Sequence, residues 1–71
     1  MRFKQPTIKD VLATINAMSN MVCWYTPEYK EFRVRYIGRP EADYFTQDKL
    51  DALKTAEYMR RWGGEWGKST N

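Results

Sequence analysis

A chain of 71 residues has room for one hydrophobic core and no second domain. Its 12 Lys plus Arg against 9 Asp plus Glu give a formal charge of +3, which admits nucleic acid or an acidic protein surface as partner and requires neither. Histidine is absent, which removes the commonest general base and zinc ligand, and the single cysteine, Cys23, excludes an intramolecular disulfide. A disulfide-stapled secreted module is thereby ruled out, and a reducing, cytoplasmic setting fits.

The start, Met1-Arg2-Phe3-Lys4-Gln5-Pro6, leads into a helical pattern containing Lys9 and Asp10 and does not read as a signal peptide. Thr7 is placed to cap that helix, with Asp10 as the acidic partner of a capping box. Ile8, Val11, Leu12, Ile15 and Met18 recur at helical spacing, so a helix from Ile8 to Ser19 is predicted, with Asn20 suited to the left-handed exit. From Met21 the residues turn β-branched and aromatic. Met21 to Tyr25 is a first strand, and Thr26-Pro27-Glu28-Tyr29 is a turn with Pro27 at its second position.

Glu31 to Ile37 gives the clearest strand pattern. Its alternation sends Phe32, Val34 and Tyr36 to one face and Glu31, Arg33, Arg35 and Ile37 to the other. Gly38-Arg39-Pro40-Glu41 is the next turn and Ala42 to Phe45 a short third strand. Such short connections favour an antiparallel meander. Thr46 is a cap for a second helix whose Ala52, Leu53, Ala56 and Met59 share one side. Glu57 and Arg61 form an i,i+4 pair on it, and Gly63-Gly64 stop it. Trp62 is expected to fold back over the core. The prediction is a single α+β domain over residues 1–64, helix–three-stranded antiparallel sheet–helix with both helices on one sheet face, followed by a flexible tail over 65–71 that holds Trp66.

The chemistry of catalysis is thinly represented. Ser19 and Ser69 have no neighbouring base, the four glycines form no phosphate loop, and no metal or cofactor set is recognisable. Glu41 with Asp43, and Asp48 with Asp51, are carboxylate pairs, but they read more simply as turn acids and helix N-terminal charges. Cys23, between apolar neighbours, reads as a small buried hydrophobe. The chain is accordingly expected not to be an enzyme, and no apolar run approaches the roughly 18 residues of a membrane span.

Binding is better represented. Lys30, Arg33, Arg35 and Arg39 crowd ten residues that hold one acid, Glu31. With Phe32, Val34 and Tyr36 turned to the helices, Arg33 and Arg35 project from the open face, where Trp24 or Tyr25 and Tyr44 or Phe45 can flank them, depending on register. Arginine beside aromatic rings pairs with carboxylates or phosphates and stacks on π faces. Lys30, Arg33, Arg35, Arg39, Trp24 and Tyr44 are therefore the candidate partner-binding residues. The structural alternative for the arginines is cross-strand pairing with Glu31, Asp43 or Glu28.

The helix–three strands–helix order resembles the double-stranded-RNA-binding domain. That resemblance implies a basic cluster at the start of the second helix, where this chain has Thr46-Gln47-Asp48-Lys49-Leu50-Asp51. Phe32-Arg33-Val34, Tyr44-Phe45-Thr46-Gln47-Asp48, and Asp51-Ala52-Leu53-Lys54-Thr55-Ala56 with Met59 look like small uncharacterised accessory proteins of bacterial phages, plasmids and integrative elements. This second resemblance spans residues 32–59. It implies a mobile-element accessory protein that interferes with a host defence or regulatory complex, and it carries over no functional residue. The expected partner is a protein. Direct nucleic-acid binding through the basic sheet face is the alternative, and a homodimer sealed by Trp62 and Trp66 is a third arrangement.

Overall fold

The computed structural model describes residues 5–63. The tail expected over 65–71, with Trp66, and the Gly64 half of the helix stop lie outside the described residues. The elements run α1 (Ile8–Asn16), β1 (Met21–Thr26), β2 (Glu31–Tyr36), a 3-10 turn (Pro40–Ala42), β3 (Tyr44–Thr46) and α2 (Lys49–Trp62). The three strands form an antiparallel sheet in the order β1-β2-β3. Both helices cover the same face: α1 packs on β1, α2 packs on β2 and β3, and the helices touch each other. This is the predicted α+β architecture.

The capping box forms as expected. The Thr7 hydroxyl accepts the Asp10 N–H at 3.0 Å and Asp10 Oδ2 accepts the Thr7 N–H at 3.0 Å. Val11 and Ile15 then point into the core. The helix ends at Asn16, short of the predicted Ser19, because the Asn16 side chain is drawn to the sheet. Its Oδ1 accepts the Cys23 N–H at 3.0 Å, and its Nδ2 donates to the carbonyls of Cys23 at 3.2 Å and Leu12 at 2.8 Å. β1 is an edge strand, and one side-chain amide here does for Cys23 what a neighbouring strand would otherwise do. Asn20 takes φ +61° to turn the chain into β1, a conformation asparagine tolerates better than most residues.

β2 is the central strand. Phe32 and Val34 are fully buried under the helices beside Met21, Cys23, Ala52, Ala56 and Met59. The strand stops at Tyr36, so Ile37, predicted as its last residue, stands exposed in the turn. There the Arg39 N–H donates to the Tyr36 carbonyl at 2.9 Å, and Gly38 at φ +98° fills the third position of a type II turn, which requires positive φ. Pro40, with φ already fixed, starts a 3-10 turn that carries the predicted turn on through Ala42, and β3, predicted from Ala42 to Phe45, is displaced to Tyr44–Thr46.

The cap of α2 moves in the same direction. Asp48, not Thr46, accepts the N–H groups of Leu50 at 2.8 Å and Asp51 at 3.1 Å, and the Thr46 hydroxyl accepts the Asp48 N–H at 3.1 Å. A carboxylate offers the first-turn donors full negative charge, which a hydroxyl does not. Glu57 pairs with Arg60 at 2.8 Å, one residue nearer than the predicted Arg61. Trp62 does not fold over the core and is 56% exposed. Among the described residues, no helix is long and apolar enough to cross a membrane.

Asn16→Ala deletes both bonds to Cys23 and leaves β1 with an open edge. The expected cost is about 1–2 kcal/mol, read from urea unfolding, with amide exchange at Cys23 accelerating more than at Val34.

Candidate functional site

The sheet face away from the helices is a short ladder of alternating chemistry. Strand register places Trp24 of β1, Arg33 of β2 and Phe45 of β3 in one row across the sheet, and Val22 beside Arg35 in the next. Trp24 and Phe45 are 42% and 50% exposed. The Arg33 guanidinium lies 5.4 Å from the Trp24 ring centre and 5.3 Å from that of Phe45, so it is held between two aromatic rings. Arg35 lies 5.0 Å from the Trp24 ring. Stacked, weakly hydrated guanidinium groups of this kind are attracted to the negative faces of the rings.

Beneath them sits Asp43, the residue before β3. Its Oδ2 accepts Arg33 Nε at 2.6 Å and Arg35 Nη2 at 2.8 Å, while its Oδ1 accepts Arg35 Nε at 2.8 Å. The Arg35 contact is thus bidentate, and the Arg33 contact uses Nε alone. The Asp43 side chain is 4% exposed, against 43% for Arg33 and 27% for Arg35. The hydrogen bonds from Arg35, joined by those from Arg33 and the charge of both, hold the Asp43 carboxyl below its usual range despite burial. The same bonds raise the pKa of Arg35.

Of the six residues singled out from the sequence, the fold brings three together: Trp24, Arg33 and Arg35. Lys30 and Arg39 stand in the turns at opposite ends of β2. Lys30 is exposed with φ +50°, and Arg39 pairs with Glu41 at 3.5 Å. Tyr44 opposes Val34 and therefore faces the helices, where its hydroxyl donates to Asp51 Oδ2 at 2.6 Å. That bond, followed by one from Thr46, lowers the Asp51 pKa, and the same Tyr44–Asp51 bond, followed by burial, raises that of Tyr44. Phe45 takes the place on the open face that was assigned to Tyr44. Asp43 is the other residue missing from the candidate set, although it had been named among the cross-strand partners; its two-residue spacing from Phe45 is the signal that puts it on this face.

The carboxylates thus have structural employment. Asp48 caps α2, Asp51 anchors Tyr44 and Asp43 clasps two arginines, so the start of α2 is acidic and engaged where a double-stranded-RNA-binding domain would be basic. Burial pushes the Cys23 thiol up to about 11, which leaves it protonated at neutral pH. Among the described residues, no cluster of three His, Cys, Asp or Glu side chains is arranged to hold a metal ion.

Because the folded-state pKa of Asp43 is depressed, its clasp contributes stability above the unfolded-state value of about 3.9, and this is lost as pH falls through the lower folded value. Asp43→Asn should lower stability at pH 7 by about 2–3 kcal/mol, and urea titrations should show the gap from the parent chain closing as the pH falls below the ordinary carboxylate range. No family model, curated protein or solved structure matches this chain.

Proposed function

We propose that this chain is a non-catalytic, protein-binding accessory factor of a bacterial mobile element, an inhibitor or modulator of a host defence or nucleic-acid-handling complex, and that it docks through the open face of its sheet. The observation that carries the docking surface is the Trp24–Arg33–Phe45 row: a guanidinium set between two half-exposed rings on a face that neither helix covers. Tryptophan and arginine are the side chains most enriched where protein interfaces concentrate their energy. The mobile-element setting rests on the likeness of residues 32–59 to accessory proteins of such elements.

The carboxylates support a non-catalytic reading. General acid catalysis near neutral pH calls for a carboxyl with a raised pKa, whereas those of Asp43, Asp51 and Glu57 are all lowered by hydrogen bonds. Direct nucleic-acid binding draws on the same exposed rings as a stacking platform. Against it, Asp43 already neutralises one of the two central arginines and Arg39 is paired with Glu41, which leaves few cations to follow a phosphate backbone.

A photo-crosslinking residue at position 45 should capture a defined protein in a bacterial host, and the product should vanish in an Arg33→Glu chain whose circular dichroism is unchanged. The same label at Lys9, on the exposed side of α1, should capture nothing comparable. Retention of the crosslink in the Arg33→Glu chain, or oligonucleotide binding at ~50 mM salt that weakens steeply with added salt, would remove the protein-docking reading.

A further inference from the structure

We infer that the open sheet face receives a carboxylate side chain from an acidic protein segment, bound by the terminal nitrogens of Arg33 between the rings of Trp24 and Phe45. This rests on the docking role proposed for the face and adds the chemistry of its partner.

The asymmetry of the Asp43 clasp is the starting point. Arg35 gives Asp43 both Nε and Nη2, a complete fork, whereas Arg33 gives only Nε. The acid is 4% exposed and the Arg33 side chain 43% exposed, so an incoming group meets guanidinium rather than carboxylate. Two arginines against one aspartate leave one positive charge over, and that charge is carried at the more exposed of the two heads. A planar fork with spare N–H groups is the natural complement of a carboxylate.

The rings sharpen the site. Trp24 and Phe45 flank the guanidinium at 5.4 and 5.3 Å, which fixes its plane and lowers the ordering entropy to be lost on binding. They also shield the flanks from water, which strengthens a charge-assisted bond formed there. Negative charge is welcome over a small area only. Glu31 lies on the same face two residues before Arg33, at the hairpin end, and opposes an extended polyanion. Nucleic-acid binding rests on many phosphate contacts, about 6–10 in strongly salt-dependent complexes, whereas one outward guanidinium suits one carboxylate.

The test is nitrogen-15 NMR of the full chain titrated with three probes: an otherwise uncharged peptide carrying one glutamate, the same peptide with lysine in its place and a deoxythymidine oligonucleotide. The glutamate peptide should shift the Arg33 Nε–H, the Trp24 indole N–H and the Phe45 amide together, and the other two probes should not. Arg33→Gln should weaken the glutamate peptide at least about tenfold. Arg33→Lys, which keeps the charge and loses the fork, should also weaken it and serves as the second variant if the first fails to fold. Equal shifts with the lysine peptide, a response to the oligonucleotide alone, or full binding by Arg33→Lys would overturn the inference. A protein crosslinked through position 45 that excess glutamate peptide does not displace would overturn it too, while leaving the docking role intact. Glutamate-peptide shifts without any such crosslink would support carboxylate recognition and count against the docking role instead.

Discussion

Burial of Phe32 and Val34 on the helix-covered face of β2 is the contact on which the rest of this structure hangs. They sit on the central strand, so β1, β3 and α2 all pack against β2. With so few residues the core is small: Phe32, Ile15, Met59, Val11 and Val34 are its largest fully buried side chains. None can be moved to the surface without losing a large share of the apolar area that offsets chain entropy. Strand geometry then leaves no choice about their neighbours. If residues 32 and 34 face the helices, residues 33 and 35 face away.

That constraint creates an electrostatic problem on the open face, since Arg33 and Arg35 are like charges on one side of one strand. Asp43 resolves it. The 3-10 turn at Pro40–Ala42 consumes the residues after Gly38 and delivers Asp43 to the row beside Arg35, with one oxygen shared between both arginines. Trp24 and Phe45 complete the arrangement from the two outer strands by offering ring faces to the guanidinium groups. The core and the candidate binding face are therefore one design seen from two sides: the alternation that seals the first produces the second.

The sequence made part of this legible. Thr7 with Asp10, the alternation from Phe32 to Tyr36, Asn20 at a left-handed exit and the order of elements are all local signals, decided within a few residues, and each appears in the structure. What escaped depends on contacts across the fold. Asn16 ends α1 early because a strand beginning five residues later needs its amide. Thr46 and Asp48 are both acceptable caps by residue type, and the longer turn before β3 favours the second. Whether Tyr44 or Phe45 joins the arginines follows from β2–β3 register, where a slip of one residue would exchange them. Trp62, expected over the core as a ring at the helix end, is 56% exposed, while Met59 and Ala56 are the residues of that half of α2 that are fully buried.

A domain of this size gains little stability from Trp24 and Phe45 where they stand. Both remain near half exposed, and a threonine or lysine on an outer strand would keep the face soluble at no cost to the core. Arg33 adds one further bond to an Asp43 that Arg35 already holds in a bidentate pair, and its guanidinium otherwise meets only the rings of Trp24 and Phe45. The core therefore does not account for these three side chains, while the register sets them side by side with their orientations fixed in advance. Preorganisation of that kind would lower the entropy lost on meeting a partner, and this is the physical support that the Trp24–Arg33–Phe45 row lends to the docking role proposed above.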